Sequence, residues 1–448
     1  MGENSTKNTS IYELDGKPPL KQAIPLALQH ILAMFAGNVA VPIIVAGAIG
    51  MTGDEKTYLI QCAMLVAGLA TLIQVIRFGP VGAKLPIVMG TSFGFLSASI
   101  IIGNQFGISA IFGAALVGGF FEIILGFFLK HIRKFFPPIV TGTVLLTIGL
   151  SLLPVGIRYF AGGQGAADFG SASNLILGSI VLVTIIYFSQ FTKGYTKTSA
   201  ILLGILVGYL VAIPMGKINF GQVAGAGWVS IPLPFRFGLS FHWEAIVTMM
   251  IMYIVTTIET VGDITGVTMG GLGREATDEE LSGGVIADGV GSVIGAIFNA
   301  LPNTSFSQNV GIVAVTKVMS NYIIKIGAVI LLIAAFFPKF GALLAVMPAS
   351  VLGGATLVMF GSIAIMGMKL ITSEGLSNRD ITIVAVALSL GYGLSAVPEA
   401  LVIFPSSVQM IFGGSGIVVA CLVALVLNII IPKTEEDLLT ATPASEVN

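Results

Sequence analysis

Three acidic residues of this chain lie within stretches that are otherwise apolar. Glu259 and Asp263 occur in IETVGDITG, residues 258–266, and Asp288 occurs in VIADGVGSVIG, residues 285–295. A carboxylate in membrane hydrocarbon costs about 2.5–3.5 kcal/mol on insertion scales, so it needs a partner or a wet cavity. Asp263 follows Glu259 by one helical turn on the same face, and carboxylates this close invite proton sharing. The three residues predict a place at membrane depth that binds a ligand or a proton.

A later segment interrupts the apolar pattern with polar side chains. In PNTSFSQNVGIVAVTK, residues 302–317, a proline is followed by polar residues spread from Asn303 to Asn309. Irregular backbone is tolerated at membrane depth only where it is buried in protein or lines a cavity. Its free N–H groups can then bind a ligand, so this segment is a second candidate for the site.

The composition predicts a membrane-spanning scaffold for these residues. Of the 448 residues, 55% are hydrophobic and only 10% are charged, and the mean hydropathy is +0.98. Soluble domains carry about 25% charged residues, so we predict an all-α polytopic protein in contact with membrane lipid. A net charge of −1 offers no basic patch for nucleic acid. We also find no nucleophile–base pair, metal-ligand cluster or nucleotide loop, and therefore expect neither an enzyme nor a cofactor.

Apolar stretches of about 20 residues, the length that spans a bilayer, set the predicted topology. The third and tenth of these segments are short and interrupted by polar residues, so each is predicted to hold a short extended piece followed by a half-helix. With both termini in the cytoplasm, sixteen of the 21 Lys and Arg residues fall on the cytoplasmic side, in agreement with the positive-inside rule. The fourteen predicted segments are 22–47, 58–76, 85–103, 107–129, 136–157, 173–191, 197–214, 242–267, 283–300, 302–318, 320–338, 346–370, 380–397 and 408–431.

Two pairs of short motifs indicate an internal repeat. GTSFGF at 90–95 resembles NTSFSQ at 303–308, and PPIVTG at 137–142 resembles PASVLG at 348–353. The offsets, 213 and 211, agree closely. Two halves of seven segments each start on opposite sides of the membrane, which makes the repeats inverted. Inverted repeats with paired, interrupted segments are typical of secondary transporters, whose substrate site lies between the interruptions near the midplane.

Three motifs in the same order resemble one transporter family, the nucleobase–ascorbate transporters, also called nucleobase:cation symporter 2. QNVGIVAVTK, residues 308–317, fits the family signature of Gln, Glu or Pro, then Asn, any residue, Gly, four residues, Thr, and Arg, Lys or Gly. LQHILAMFAGNVAVP, residues 28–42, is similar to the first-helix pattern, and IETVGDITG to the eighth-helix pattern. The resemblance points to the xanthine and uric acid permease subgroup.

The resemblance implies a core domain and a gate domain that move against each other like an elevator, commonly within a homodimer. The core would comprise residues 22–129 and 242–338, and the gate residues 136–214 and 346–431. Cytoplasmic tails would occupy residues 1–21 and 432–448. The expected location is the cell membrane, either the plasma membrane or a bacterial inner membrane.

The resemblance also implies which side chains hold the substrate edges. In the family, the residue matching Glu259 holds ring N–H groups, which suits an acceptor-only carboxylate. Gln308 presents a donor and an acceptor together. Related uracil carriers usually have Glu at this position, whereas xanthine and urate carriers have Gln followed by Asn, as in Gln308-Asn309. Asn309 is a substrate-binding candidate that could equally be scaffold.

Further binding candidates would surround a flat ring. Phe93 and Phe306 occupy matching places in the two repeats, where aromatic faces could stack on a heterocycle or simply fill the core. Ser307 could offer its backbone N–H group. Gly37 would let the first segment approach closely.

Asp263, His30 and Asp288 are the candidates for proton coupling. His30 titrates near neutral pH when unperturbed but can also serve as a structural hydrogen-bonding group. Asp263 and Asp288 have structural alternatives as well, and Glu122 is an intramembrane acid without an assigned role. We expect a secondary active transporter that imports a purine, xanthine or uric acid, with H⁺, while Na⁺ coupling stays open. The alternatives are a uracil or guanine/hypoxanthine permease of the same family, or an anion transporter of the same fold.

Overall fold

Helices form nearly all the regular structure in this computed structural model, which describes residues 11–432 except 164, 374 and 414. The α-helices of the described chain are α1 (Leu20–Ala48), α2 (Gly53–Ile76), α3 (Leu96–Phe106), α4 (Ile108–Phe127), α5 (Leu129–Ile132), α6 (Pro138–Phe160), α7 (Ala172–Phe191), α8 (Tyr195–Thr198), α9 (Ala200–Ala212), α10 (Phe220–Gly225), α11 (Trp243–Val267), α12 (Asp278–Ile297), α13 (Ser307–Thr316), α14 (Asn321–Ala335), α15 (Pro338–Ala345), α16 (Ala349–Ile371), α17 (Asn378–Ala396), α18 (Ser406–Val408) and α19 (Gly416–Ile430). Two strands, β1 (Met89–Thr91) and β2 (Asn303–Ser305), complete the set together with 3₁₀ turns at Arg133–Phe135 and Pro398–Leu401 and π turns at Thr268–Leu272 and Gln409–Gly413.

Many of these helices are membrane spans by length and composition. Among the described residues, nine helices are long and apolar enough to cross a bilayer. α14 and α15 together would make a tenth span despite a bend of 85° between them. α9 and α19 are shorter apolar helices. The prediction of an all-α polytopic membrane protein is confirmed, whereas the count of fourteen spans stays a prediction. Residues 1–10 and 433–448 of the two predicted tails lie outside the described residues.

The extended pieces predicted in the third and tenth segments are the two strands. They pair antiparallel in the register Met89 with Ser305, Gly90 with Thr304, and Thr91 with Asn303. All six strand residues are buried. β1 leads into α3 and β2 into α13, helices of only 11 and 10 residues. The backbone groups that irregular chain would leave unpaired in the membrane are thus paired between the two halves of the sequence.

Corresponding helices in the two halves of the sequence make corresponding contacts. α2 packs on α14 as α12 packs on α4, and α7 packs on α9 as α17 packs on α19. α6 and α16, the matching helices of the two halves, pack on each other. They approach closely because Gly149 has no side chain: a Cβ there would collide with the backbone of Ala364. This packing is the pattern expected from an inverted repeat.

Capping boxes fix the starts of several long helices. At α2, the Thr52 side chain accepts from the backbone N–H of Glu55, whose carboxylate accepts from the backbone N–H of Thr52. Thr277 and Glu280 make the same reciprocal pair at α12. Such a cap satisfies N–H groups that have no partner inside the helix. The start of α12, which carries Asp288, is therefore set by local sequence.

Candidate functional site

A cavity of about 110 Å³ lies at the ends of the two paired strands. One wall comes from the strands, α11 and α13, and the other from α6 and α16. Five predicted site residues meet in it: Phe93, Glu259, Phe306, Ser307 and Gln308. The remaining lining residues are Thr91, Ser92, Gly94, Leu145, Ile148, Thr304, Ser305, Ser362, Ile363 and Met366. The cavity is therefore mixed, with hydrogen-bonding groups mainly on one wall and apolar side chains mainly on the other.

Glu259 and Gln308 are the polar side chains in this cavity with open hydrogen-bonding capacity. Both are half-buried, Glu259 on α11 and Gln308 in the first turn of α13. Neither forms a hydrogen bond or an ion pair with another residue in the described part of the chain. A carboxylate supplies only acceptors, whereas an amide supplies donors and an acceptor. Together they can bind a ligand that presents N–H and C=O groups.

The two short helices begin beside this cavity, as the sequence predicted. α13 starts at Ser307 directly after β2, and α3 starts at Leu96 just after the cavity residues Phe93 and Gly94. The first N–H groups of a helix have no partner within it and carry partial positive charge. These two ends favour a ligand with carbonyl oxygens or negative charge.

Phe93 and Phe306 line the cavity with only 8% and 5% of their surfaces exposed. Phe93 meets Phe360 of α16 edge to face, with ring centroids 5.3 Å apart. A Cβ on Gly37 would lie 2.8 Å from Cε1 of Phe306 and 3.4 Å from Cε2 of Phe93. Gly37 therefore lies behind the two rings and does not line the cavity itself.

A chain of hydroxyl groups joins two of the predicted coupling acids. The Ser305 hydroxyl donates to Oδ2 of Asp263 at 2.5 Å, and its oxygen lies 3.4 Å from Oγ1 of Thr260. Thr260 in turn donates to Oδ2 of Asp288 at 2.5 Å. Thr304, another cavity residue, also donates to Asp288, at 3.3 Å. Asp263 and Asp288 are buried behind the cavity wall, and the hydroxyls connect both to it.

His30 and Asn309 form a contact between α1 and α13 away from the cavity lining. The amide nitrogen of Asn309 donates to the backbone oxygen of His30 at 2.9 Å and lies 3.1 Å from its Nδ1. Because a carbonyl oxygen can only accept, this amide must point its nitrogen at His30, and Nδ1 then acts as the acceptor. His30 is accordingly assigned the neutral form with its proton on Nε2. The geometry favours the structural alternative for both residues.

Sequence reasoning missed several residues that build the site. Thr260, Thr304 and Ser305 form the hydroxyl chain, and their signals were a threonine directly after Glu259 and a Thr-Ser pair in the polar segment 302–317. Asn38 on α1 accepts from the backbone N–H of Thr91 at 2.8 Å and from its hydroxyl at 3.0 Å. Its signal was a lone asparagine in an apolar helix.

A larger cavity elsewhere lacks the chemistry of a polar site. It measures about 360 Å³, lies between α1, α9, α14 and α15, and is lined almost wholly by aliphatic and aromatic side chains. A ligand rich in N–H and C=O groups would lose its hydrogen bonds to water there. Among the described residues, no group of three or more His, Cys, Asp and Glu side chains is placed to hold a metal ion.

Two crossing strands, short helices that begin at a polar cavity, and many apolar spans define a class of protein. This arrangement is typical of membrane transporters, in which broken helices present their N-terminal ends to the substrate. By length and composition the chain is a multi-pass membrane protein.

Comparisons with known proteins identify the family. Residues 21–400 match the model of a family described as Permease family. The xanthine permease of Bacillus subtilis (strain 168) is 40% identical over 417 residues, 91% of this chain and 93% of that protein. The uric acid permease PucK of the same organism is 40% identical over 415 residues, covering 91% and 95%. Xanthine permease XanQ of Escherichia coli (strain K12) is 34% identical and covers 99% of each chain. The chain belongs to the nucleobase–ascorbate transporter family, in its xanthine and uric acid permease subgroup. It is a permease of the cell membrane and not an enzyme.

Solved structures confirm the fold at much lower identity. The transmembrane domain of the cyanobacterial bicarbonate transporter BicA superimposes with a TM-score of 0.59 at 15% identity, over 93% of this chain and 100% of that one. Murine Slc26a9 in its inward-facing state gives a TM-score of 0.61 at 12% identity, covering 93% and 68%. The likeness extends over nearly all of the chain.

Proposed function

We propose that this permease imports an oxidised purine, xanthine or uric acid, together with protons. One observation carries the proposal: Glu259 and Gln308 line one cavity and neither has a hydrogen-bonding partner in the described chain. Oxidised purines present ring N–H groups beside carbonyl groups, which match a carboxylate acceptor and an amide. Relatives at 40% identity are named xanthine permease and uric acid permease.

The remaining walls of the cavity fit a flat ring. Phe93 and Phe306 offer apolar aromatic surface, while Leu145, Ile148 and Met366 close the opposite wall. Ser307, at the start of α13, supplies a backbone N–H group for a purine carbonyl oxygen. Asn309 and Gly37 support the site from behind in this proposal, Asn309 through His30 and Gly37 through the two rings.

Proton coupling is assigned to the acids behind the cavity. Asp263 and Asp288 are joined through Ser305 and Thr260, so hydroxyl rotation can pass a proton between them. Substrate bound to Glu259 favours the ionised form of that side chain and makes further negative charge nearby unfavourable. Binding of substrate therefore promotes protonation of the neighbouring acids. His30 acts as a structural contact in this scheme.

Transport would follow from movement of the predicted core, residues 22–129 and 242–338, against the predicted gate, residues 136–214 and 346–431. The cavity supports this division because α11, α13 and the strands form one wall and α6 and α16 form the other. We also propose that both termini lie in the cytoplasm, because the distribution of Lys and Arg favours that orientation. The proposed assembly is a homodimer.

Uptake of labelled xanthine into cells that lack their own purine carriers tests the proposal. Unlabelled urate should compete, uracil, guanine and ascorbate should not, and a protonophore should abolish accumulation. Competition by uracil alone would contradict the assignment of Gln308 while leaving the family unchanged. Accumulation that survives the protonophore but needs Na⁺ would replace proton symport with sodium symport. Saturable bicarbonate or sulfate uptake without purine uptake would favour an anion carrier.

A further inference from the structure

Glu122, on α4, is a buried acid that the proposed mechanism does not use. Its exposed fraction is 0%. Oε1 accepts hydrogen bonds from Thr256 at 3.2 Å and from Thr257 at 3.4 Å, both on α11. Oε2 has no hydrogen-bonding partner in the described chain. The Glu122 carboxyl group therefore contacts α11, the helix that carries Glu259. Glu259 follows the donors Thr256 and Thr257 by three and two residues.

Within the described residues, no positive charge offsets this carboxyl group. In the described part of the chain, no Lys, Arg or His side chain pairs or hydrogen-bonds with Glu122. A buried carboxylate with two long hydrogen bonds and no cation is strongly unfavourable, and such groups avoid the cost by holding a proton. The geometry therefore favours a proton on Glu122 in the arrangement described here.

Among the groups near Glu122 are the substrate-binding acid and one coupling acid of the proposed mechanism. α4 packs against both α11 and α12. Glu259 and Asp288 lie close enough to interact electrostatically with Glu122, as does Tyr253, whose hydroxyl donates to the backbone oxygen of Ala115. Three carboxyl groups within this reach cannot all be ionised in a medium of low dielectric constant. A charge on one of them favours protons on the others.

We propose that Glu122 takes part directly in proton coupling: it holds a proton while Glu259 binds substrate as a carboxylate, and releases it once the substrate has left. The inference rests on the proposed proton symport. It adds a third proton-binding carboxyl group to Asp263 and Asp288. No bond other than O–H forms or breaks: the proton passes between a carboxyl oxygen of Glu122 and the hydroxyl of Thr256 or Thr257, which releases its own proton to the next acceptor.

Purified protein in proteoliposomes separates coupling from binding. Exchange of internal for external xanthine moves no net proton, whereas accumulation driven by a pH gradient does.

Glu122→Gln keeps the size and the acceptor oxygen but cannot exchange a proton. We expect exchange within about twofold of wild type, at least a tenfold loss of accumulation, and loss of its dependence on external pH. Glu122→Asp should restore part of that pH dependence. Glu279→Gln, at an exposed carboxylate on α12, should leave both assays unchanged.

Each other result overturns the inference. Normal accumulation in Glu122→Gln would make Glu122 a structural hydrogen-bonding group, and loss of exchange together with accumulation would give it a role in binding or folding. If wild-type accumulation itself ignores the pH gradient, the proposed proton symport fails first. If Glu122→Gln does not fold, infrared spectra of the Asp288→Asn protein provide a second test. Without substrate, raising the pH should remove the infrared band of a protonated carboxyl group. With xanthine bound, the band should persist at the same pH, and absence of the band would contradict the inference.

Discussion

At the residue scale, Glu259 is a carboxylate that lines the cavity without a partner in the described chain. It is half-buried at membrane depth. A protein that leaves a carboxylate in this position accepts an energetic cost, and binding a ligand with N–H groups offsets it. In the proposed function Gln308 adds selectivity, because its planar amide offers a donor and an acceptor side by side.

Replacing Glu259 with Gln should strongly reduce transport while the amount of protein in the membrane stays the same. Two charge-assisted hydrogen bonds of about 1.5–3 kcal/mol each would be weakened, and 1.4 kcal/mol corresponds to tenfold. We therefore expect xanthine uptake to fall at least about a hundredfold, with the amount of protein in the membrane unchanged by immunoblot. Glu259→Asp, which keeps the charge, should retain more activity than Glu259→Gln. Uptake close to wild type in Glu259→Gln would remove this residue from the site.

Substituting Gly37 with Ala should disturb the substrate contact from behind. The new Cβ would lie 2.8 Å from Phe306, so the ring must shift towards the cavity. Overpacking of this kind costs about 1–3 kcal/mol. We expect the KM for xanthine to rise severalfold, while Gly393→Ala, at a helical glycine with open space around it, should change nothing. An unaltered KM in Gly37→Ala would show that the positions of the rings do not matter for binding.

At the scale of elements, the site depends on how β1 and β2 are held. The pair is only three residues long on each strand, too short to be stable alone. Flanking bonds extend it, from the N–H of Ser92 to the oxygen of Pro302 and from the N–H of Phe306 to the oxygen of Val88, both at 3.0 Å. Asn38 then fastens β1 to α1 through two bonds from Thr91.

Removing the side-chain amide of Asn38 should loosen the strand pair. In Asn38→Ala, the backbone N–H and the hydroxyl of Thr91 lose a buried acceptor, and each unsatisfied group costs about 1–3 kcal/mol. We expect a lower thermal-unfolding midpoint in detergent and weaker xanthine binding. Thr91→Val, which removes the hydroxyl bond only, should have a smaller effect. Equal unfolding midpoints for Asn38→Ala and wild type would contradict this role.

At the scale of the whole molecule, specific hydrogen bonds link the predicted core to the predicted gate. Nε2 of Gln29 on α1 donates to Oγ1 of Thr198 on α8 at 3.1 Å. The hydroxyl of Tyr159 on α6 donates to the backbone oxygen of Ile44 on α1 at 3.1 Å. If the two groups of helices slide during transport, contacts of this kind must break in each cycle.

Cross-linking one of these contacts should stop transport. In a chain without Cys62 and Cys421, the pair Gln29→Cys and Thr198→Cys can be joined by a short, reducible, thiol-specific reagent. We expect at least a tenfold loss of xanthine uptake after cross-linking and recovery after reduction. The matched pair Asp168→Cys and Lys217→Cys replaces a 2.8 Å ion pair between the predicted gate and the segment directly after its residue 214, with no core residue involved, and joining it should leave uptake unchanged. Full uptake with α1 joined to α8 would refute movement between these two groups.

The sequence by itself determined the membrane class, the family and the extended pieces before α3 and α13, and it selected Glu259 and Gln308 as candidates for the site. Those follow from composition, from proline and polar residues in apolar segments, and from local motifs. Only the tertiary structure decided how the other candidates are used. It placed Gly37 behind Phe93 and Phe306, bonded Asn309 to His30, and brought Glu122 to α11. The physical reason is that these contacts join helices distant in sequence, so they depend on packing angles and register that local patterns do not encode.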